Sequence, residues 1–83
     1  MALSKRLSKS LYTKRWQALR VILKDLRKEA GLTQADVGRR LDRPQSLVAK
    51  IEAGERKLDV CHFIDYVRLL GGDPIRVMRQ LCK

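Results

Sequence analysis

Eighty-three residues with 45% hydrophobic and 34% charged content describe one small domain. Such a chain buries only about 60–65% of the surface it exposes when unfolded, too little to enclose a catalytic cavity beside a second lobe. Nineteen Lys and Arg against nine Asp and Glu leave a net charge of +10, which disposes the chain toward a polyanionic partner. No run approaches the roughly 18 apolar residues of a membrane span. Cys61 and Cys82 form neither a disulfide framework nor a CxxC pair, so a reducing, cytoplasmic setting is expected. Cys61 reads as a half-buried filler and Cys82 as a reduced thiol near a fraying end. With no third ligand near Cys61 and His62, neither a metal nor another cofactor is expected.

The basic excess comes first in the chain. Residues 1–24 contain Lys5, Arg6, Lys9, Lys14, Arg15, Arg20 and Lys24 and no acid. Residues 1–12 read as a flexible basic arm suited to lie along a phosphate backbone, with a solvated tail as the plainer alternative. A mitochondrial-type presequence and a membrane-surface helix share this look. Both fit less well, because the segment runs straight into a core pattern. From about Thr13, Trp16, Leu19, Leu23, Leu26 and Ala30 step by three and four, the stripe of an amphipathic helix that Gly31 stops. Thr33 with Asp36 predicts the capped start of a second helix over about 33–41, with Val37 and Leu41 on one face. Asp42-Arg43-Pro44 breaks it.

A third helix is predicted over about 44–53, with Pro44 in its first turn, Leu47, Val48 and Ile51 inward, and Gly54 as its stop. Asp59 caps a fourth carrying Val60, Phe63, Ile64, Val67 and Leu70, which ends at Gly71-Gly72. Asp73-Pro74 caps a fifth with Ile75, Met78 and Leu81. The expected fold is all-α, a five-helix domain over residues 13–83.

Gln34 to Ile51 has the geometry of a helix-turn-helix, with Gly38 leaving room where the two helices cross. Val37, Leu41, Leu47, Val48 and Ile51 are core. Gln45, Ser46, Ala49, Lys50 and Ala53 remain outward on one acid-free face of the third helix. Gln pairs bidentately with adenine and Lys donates to guanine in the major groove, so Gln45, Ser46 and Lys50 are the expected base readers. Gln34 at the second helix's N-terminus, Arg43 in the turn, and Arg56 and Lys57 after the third helix are the expected phosphate contacts. Any one of these cations alone would be a solvated side chain; the ring around one face is what points to double-stranded DNA. No nucleophile–base pair accompanies the single histidine, His62, and no enzyme is expected. No stacking aromatics accompany the basic residues, which argues against RNA.

LRKEAGLTQADVGRRL followed by RPQSLVAKIEAGERKLD resembles the lambda-repressor-like, Xre-type helix-turn-helix family of bacterial and phage regulators, over about Arg20 to Leu81. The motifs that carry the likeness are Gly31-Leu32-Thr33-Gln34, Glu52-x-Gly54 and the basic loop behind it. The resemblance implies the family's phosphate-contacting Gln at Gln34, its base-reading positions at Gln45, Ser46 and Lys50, and its backbone-contacting loop at Gly54-Glu55-Arg56-Lys57. It implies a structural ion pair between Arg27 and Glu52. Asp42 stands where the turn usually has Gly, and Pro44 where many members carry a hydroxyl cap.

The expected function is therefore sequence-specific DNA binding by a transcriptional repressor, nucleoid-associated in a bacterial or phage-encoded setting. One helix reads few base pairs, so a homodimer on a palindrome is expected, with the fifth helix nominated for the contact and ordinary core packing as the equal alternative. No small-molecule ligand and no membrane contact are expected. The alternative is an antitoxin-type protein that neutralises a protein partner and autoregulates through the same domain. Such a protein is expected to carry an extension, and only residues 1–12 are spare.

Overall fold

The computed structural model describes residues 13–83, and among them five helices and no strand. They are α1 (Lys14–Glu29), α2 (Gln34–Leu41), α3 (Gln45–Glu52), α4 (Val60–Leu69) and α5 (Pro74–Leu81). The arm expected over 1–12 lies outside the described residues. No described helix is long and apolar enough to cross a membrane.

Side chains at the boundaries start the helices. The Thr13 hydroxyl accepts from the Trp16 amide at 3.1 Å. Thr33 and Asp36 form a reciprocal capping box, amide to side chain in each direction, at 2.9 and 3.1 Å. Asp59 accepts from the His62 amide and Asp73 from the Ile75 amide, with Pro74 in the first turn of α5 where its missing N–H costs nothing. Pro44 departs from expectation. It is the N-cap of α3, extended at φ −63° and ψ 149°, and α3 begins one residue later at Gln45. It offers no side-chain cap.

The core gathers Trp16 and Leu23 from α1, Val37 from α2, Val48 and Ile51 from α3, Phe63, Tyr66 and Val67 from α4 with Leu70 behind them, and Val77 from α5. The α2–α3 pair packs most extensively. α1 lies against both α3 and α5, and α4 bridges α2 and α5. Ala30 is exposed as the C-cap of α1 rather than the last rung of its stripe, because Leu32 turns back toward the core instead. Cys61 is exposed, not a half-buried filler, and so is Val60, at 66%. With α4 starting at Val60, both occupy its solvent-facing first turn.

Gly38 fixes how closely α2 and α3 approach. A Cβ there would lie 2.8 Å from the Arg43 carbonyl oxygen and 3.2 Å from the Gln45 nitrogen. The turn is drawn in at this point by the Arg43 amide, which donates to the Gly38 carbonyl at 2.8 Å. Only glycine lets the turn close this tightly. Asp42 supplies the left-handed residue in it, at φ 56°, a conformation Asp tolerates better than most.

Candidate nucleic-acid interface

The α3 helix is held from its C-terminal end, which leaves its N-terminal half clear. Glu52, its last residue, is the hub. Its Oε2 accepts from Arg27 Nε at 2.6 Å, and its Oε1 from Arg27 Nη2 at 3.0 Å and Gln34 Nε2 at 3.2 Å. The guanidinium's third edge donates to the Leu32 carbonyl at 2.9 Å. This fork joins α1, the α1–α2 turn, α2 and α3 in one network, and both charges are withdrawn from water, 12% and 4% exposed. Such bidentate, charge-assisted geometry is the strong form of an ion pair. The bonded Glu52 carboxylate raises the affinity of Arg27 for its proton, against the opposing pull of burial. Tyr66 lies behind the pair, wholly buried, and burial together with the Glu52 charge pushes its phenol far above the ordinary range. It stays neutral at any physiological pH, and its hydroxyl has no hydrogen-bond partner among the described residues.

Two α1 side chains secure the chain where it leaves α3. Trp16 Nε1 donates to the Gly54 carbonyl at 3.3 Å, and Arg20 Nη1 to the Glu52 carbonyl at 3.4 Å. Gly54 is left-handed at φ 82°, and a Cβ there would lie 2.6 Å from Arg20 Nη1. The guanidinium fills the space the missing side chain leaves, at the helix end where a positive charge suits the dipole.

Gln45, Ser46, Lys50 and Ala53 are exposed and Ala49 is half-buried, so the outward face of α3 is presented as its periodicity dictates. Arg43, Ser46, Lys50, Arg56 and Lys57 line one wall of a cleft of about 530 Å³ between α3 and α4. Gln45 and Gln34 do not line it. Gln45 sits at the first turn of α3, whereas Gln34 is half-buried and turned toward Glu52, so its amide serves the hub. The opposite wall carries Asp59, His62 and Asp65. Periodicity does not reveal that acidic wall, because the apolar stripe of α4 marks only its inward face. Asp59 is held below the usual carboxylate range, chiefly by the His62 amide, and His62 Nδ1 lies 3.0 Å from its other oxygen.

The roles of Trp16 and Arg20 also escape a linear reading. Trp16 is legible as core and Arg20 as one more cation. Their carbonyl partners lie 38 and 32 residues away, and main-chain acceptors leave no trace in side-chain identity.

An acid-free helical face backed by a rigid hub and flanked by cations suits the edge and backbone of a nucleic-acid groove. Comparison with known proteins points the same way. Residues 18–81 match the helix-turn-helix domain family. Among solved structures, an XRE-family like protein from Pseudomonas syringae pv. tomato is similar at 42% identity, with a TM-score of 0.80 over 92% of this chain and 93% of that one. No curated protein matches.

Proposed function

This chain belongs to the Xre-type helix-turn-helix family of DNA-binding regulators, and we propose that it is a homodimeric repressor whose α3 helix reads the major groove. The outward face of α3 carries this reading: Gln45 and Ser46 in the first turn, Lys50 one turn on, alanines that permit close approach, and no acid. Gln45 and Lys50 offer the donor and acceptor patterns that adenine and guanine edges complement. Arg43, Arg56 and Lys57 would hold the flanking phosphates, as would Gln34 by a small displacement from Glu52. The basic residues of 1–12, outside the described residues, would add phosphate contacts. The protein would act in the cytoplasm, at the nucleoid.

The homodimer reading is supported by a nearly pure apolar groove between α4 and α5. Val60, Ile75 and Met78 are 66%, 66% and 42% exposed there, with Phe63 at its floor. A partner protein on that same groove is the antitoxin-type alternative. Hydroxyl-radical footprinting on a bound duplex tests the dimer. Two protected patches on one DNA face, about 34 Å apart, are expected. One patch, with a non-DNA protein partner required for tight binding, would favour the alternative.

A further inference from the structure

We propose that Trp16 and Arg20 are positioning residues for DNA binding: from α1 they set the place of the basic loop behind α3, so that Arg56 and Lys57 reach phosphate together. This rests on the DNA-binding reading above and deepens it.

Within the connection, the apolar anchor is Leu58, half-buried against the core beyond Lys57. Gly54, Glu55, Arg56 and Lys57 connect α3 to the Asp59 cap, and Glu55, Arg56 and Lys57 are all exposed. The loop's backbone ties back to α3 are the Gly54 amide on Ile51 and the Glu55 amide on Lys50, at 3.0 and 2.8 Å. From the other side, the Trp16 indole donates to the Gly54 carbonyl while its ring is buried in the core. Arg20 donates to the Glu52 carbonyl, and its guanidinium lies under Gly54 where a Cβ would otherwise sit. The Arg20 Nε is buried without a partner among the described residues. A guanidinium serving packing or the fold alone would gain by turning that donor toward an acceptor. Here its Nη1 is instead committed to the Glu52 carbonyl, beneath Gly54. Two donors from one face of α1, four residues apart, therefore meet the chain at the last residue of α3 and the first of the loop. Losing those donors frees the chain beyond Glu52, where Arg56 and Lys57 lie, while the Glu52 side chain stays held by Arg27 and Gln34, so that α3 with Gln45 and Ser46 keeps its place.

This separation gives the proposal its signature. Trp16→Phe keeps an aromatic ring in the core and deletes the donor, with some packing lost to the smaller ring. It is expected to weaken binding about two- to tenfold, the range one hydrogen bond spans, on a selected operator and on random duplex alike. The ratio between the two DNAs should stay as in wild type. The log–log salt dependence should flatten by about one to two per protomer, since each phosphate left unneutralised removes roughly 0.9 from the slope. A purely structural role would lower the melting temperature without flattening that slope. Arg20→Met keeps the stem under Gly54 and should give the same pattern, so the proposal remains testable if Trp16→Phe folds poorly. Arg56→Ala/Lys57→Ala is run alongside. If that pair flattens the slope and neither α1 variant does, the positioning role is wrong while the DNA reading stands. If the wild type shows no salt-dependent duplex binding at all, the functional reading itself is wrong.

Discussion

Glu52 shows what a single side chain contributes here. Its carboxylate closes three hydrogen bonds while 4% exposed, so removing Arg27 strands a charge with only Gln34 for company. Arg27→Met is expected to cost about 3 kcal/mol in urea unfolding, near the lower end for breaking a buried pair. Arg27→Met/Glu52→Met should cost less than the two single changes summed, because it leaves no orphaned charge. The capping carboxylates act in a different pH range. The Thr33 amide and hydroxyl hold Asp36 below its ordinary value of 3.8, and the His62 amide does the same for Asp59. A carboxyl with a depressed folded pKa stabilises the fold above its unfolded value. That stability disappears as pH falls below 3.8 through the folded value. Asp36→Asn/Asp59→Asn keeps acceptors at both caps and removes the titration. Thermal melts from about pH 5 to 2 should therefore decline less steeply for this variant than for the wild type.

At the scale of the elements, the α2–α3 corner depends on two backbone choices. Gly38→Ala drives a Cβ against the Arg43 carbonyl at 2.8 Å, and main chain cannot swing aside as a side-chain tip can. A loss of about 1–3 kcal/mol is expected, with sequence discrimination falling more than nonspecific affinity because α3 must tilt. Asp42→Gly goes the other way. Relief of the left-handed strain at φ 56° should raise stability by up to about 1 kcal/mol, less the added freedom of the unfolded chain. Both positions are legible in the sequence: a small residue is required at the crossing, and Asp stands where glycine is usual. The capping residues Thr33, Asp59 and Asp73 are equally plain, because local chemistry alone specifies them. Pro44 is not. Its fixed φ suits either the cap or the first turn, and the extended ψ of 149° that makes it the cap is not written in its own side chain. Cys61 and Val60 depart from expectation for a related reason, since a helix's first turn can face water whatever its apolar content. The α3 face follows from periodicity. The clamps on its C-terminal end, made by side chains far away in sequence, do not.

Across the whole molecule, two surfaces differ in kind. One is the acid-free face of α3 with its cationic flanks. The other is the apolar α4–α5 groove, where Ile75 and Met78 lie open beside buried Val77. α5 thus divides its apolar residues between the core and the surface, as an element with a partner outside its own chain would. Ile75→Glu/Met78→Glu touches only exposed positions and should change folding stability by about 0.5 kcal/mol or less. Sedimentation should show the proposed dimer giving way to monomer, and affinity for a palindromic duplex should fall while circular dichroism stays unchanged. A variant that sediments as the wild type does would leave the groove without that role.

In the proposed function, base reading by α3 rests above all on Gln45 and Lys50. The most direct test is selection from a randomised duplex pool, with wild type and Gln45→Ala/Lys50→Ala side by side at two salt concentrations. The expected result is an enriched palindrome for the wild type and a relaxed preference for the variant. The salt slope should be about −6 or steeper, as neutralising several phosphates per dimer requires. If no motif is enriched and every sequence binds with the same salt sensitivity, base reading by α3 is contradicted, and the +10 charge accounts for nonspecific attraction alone.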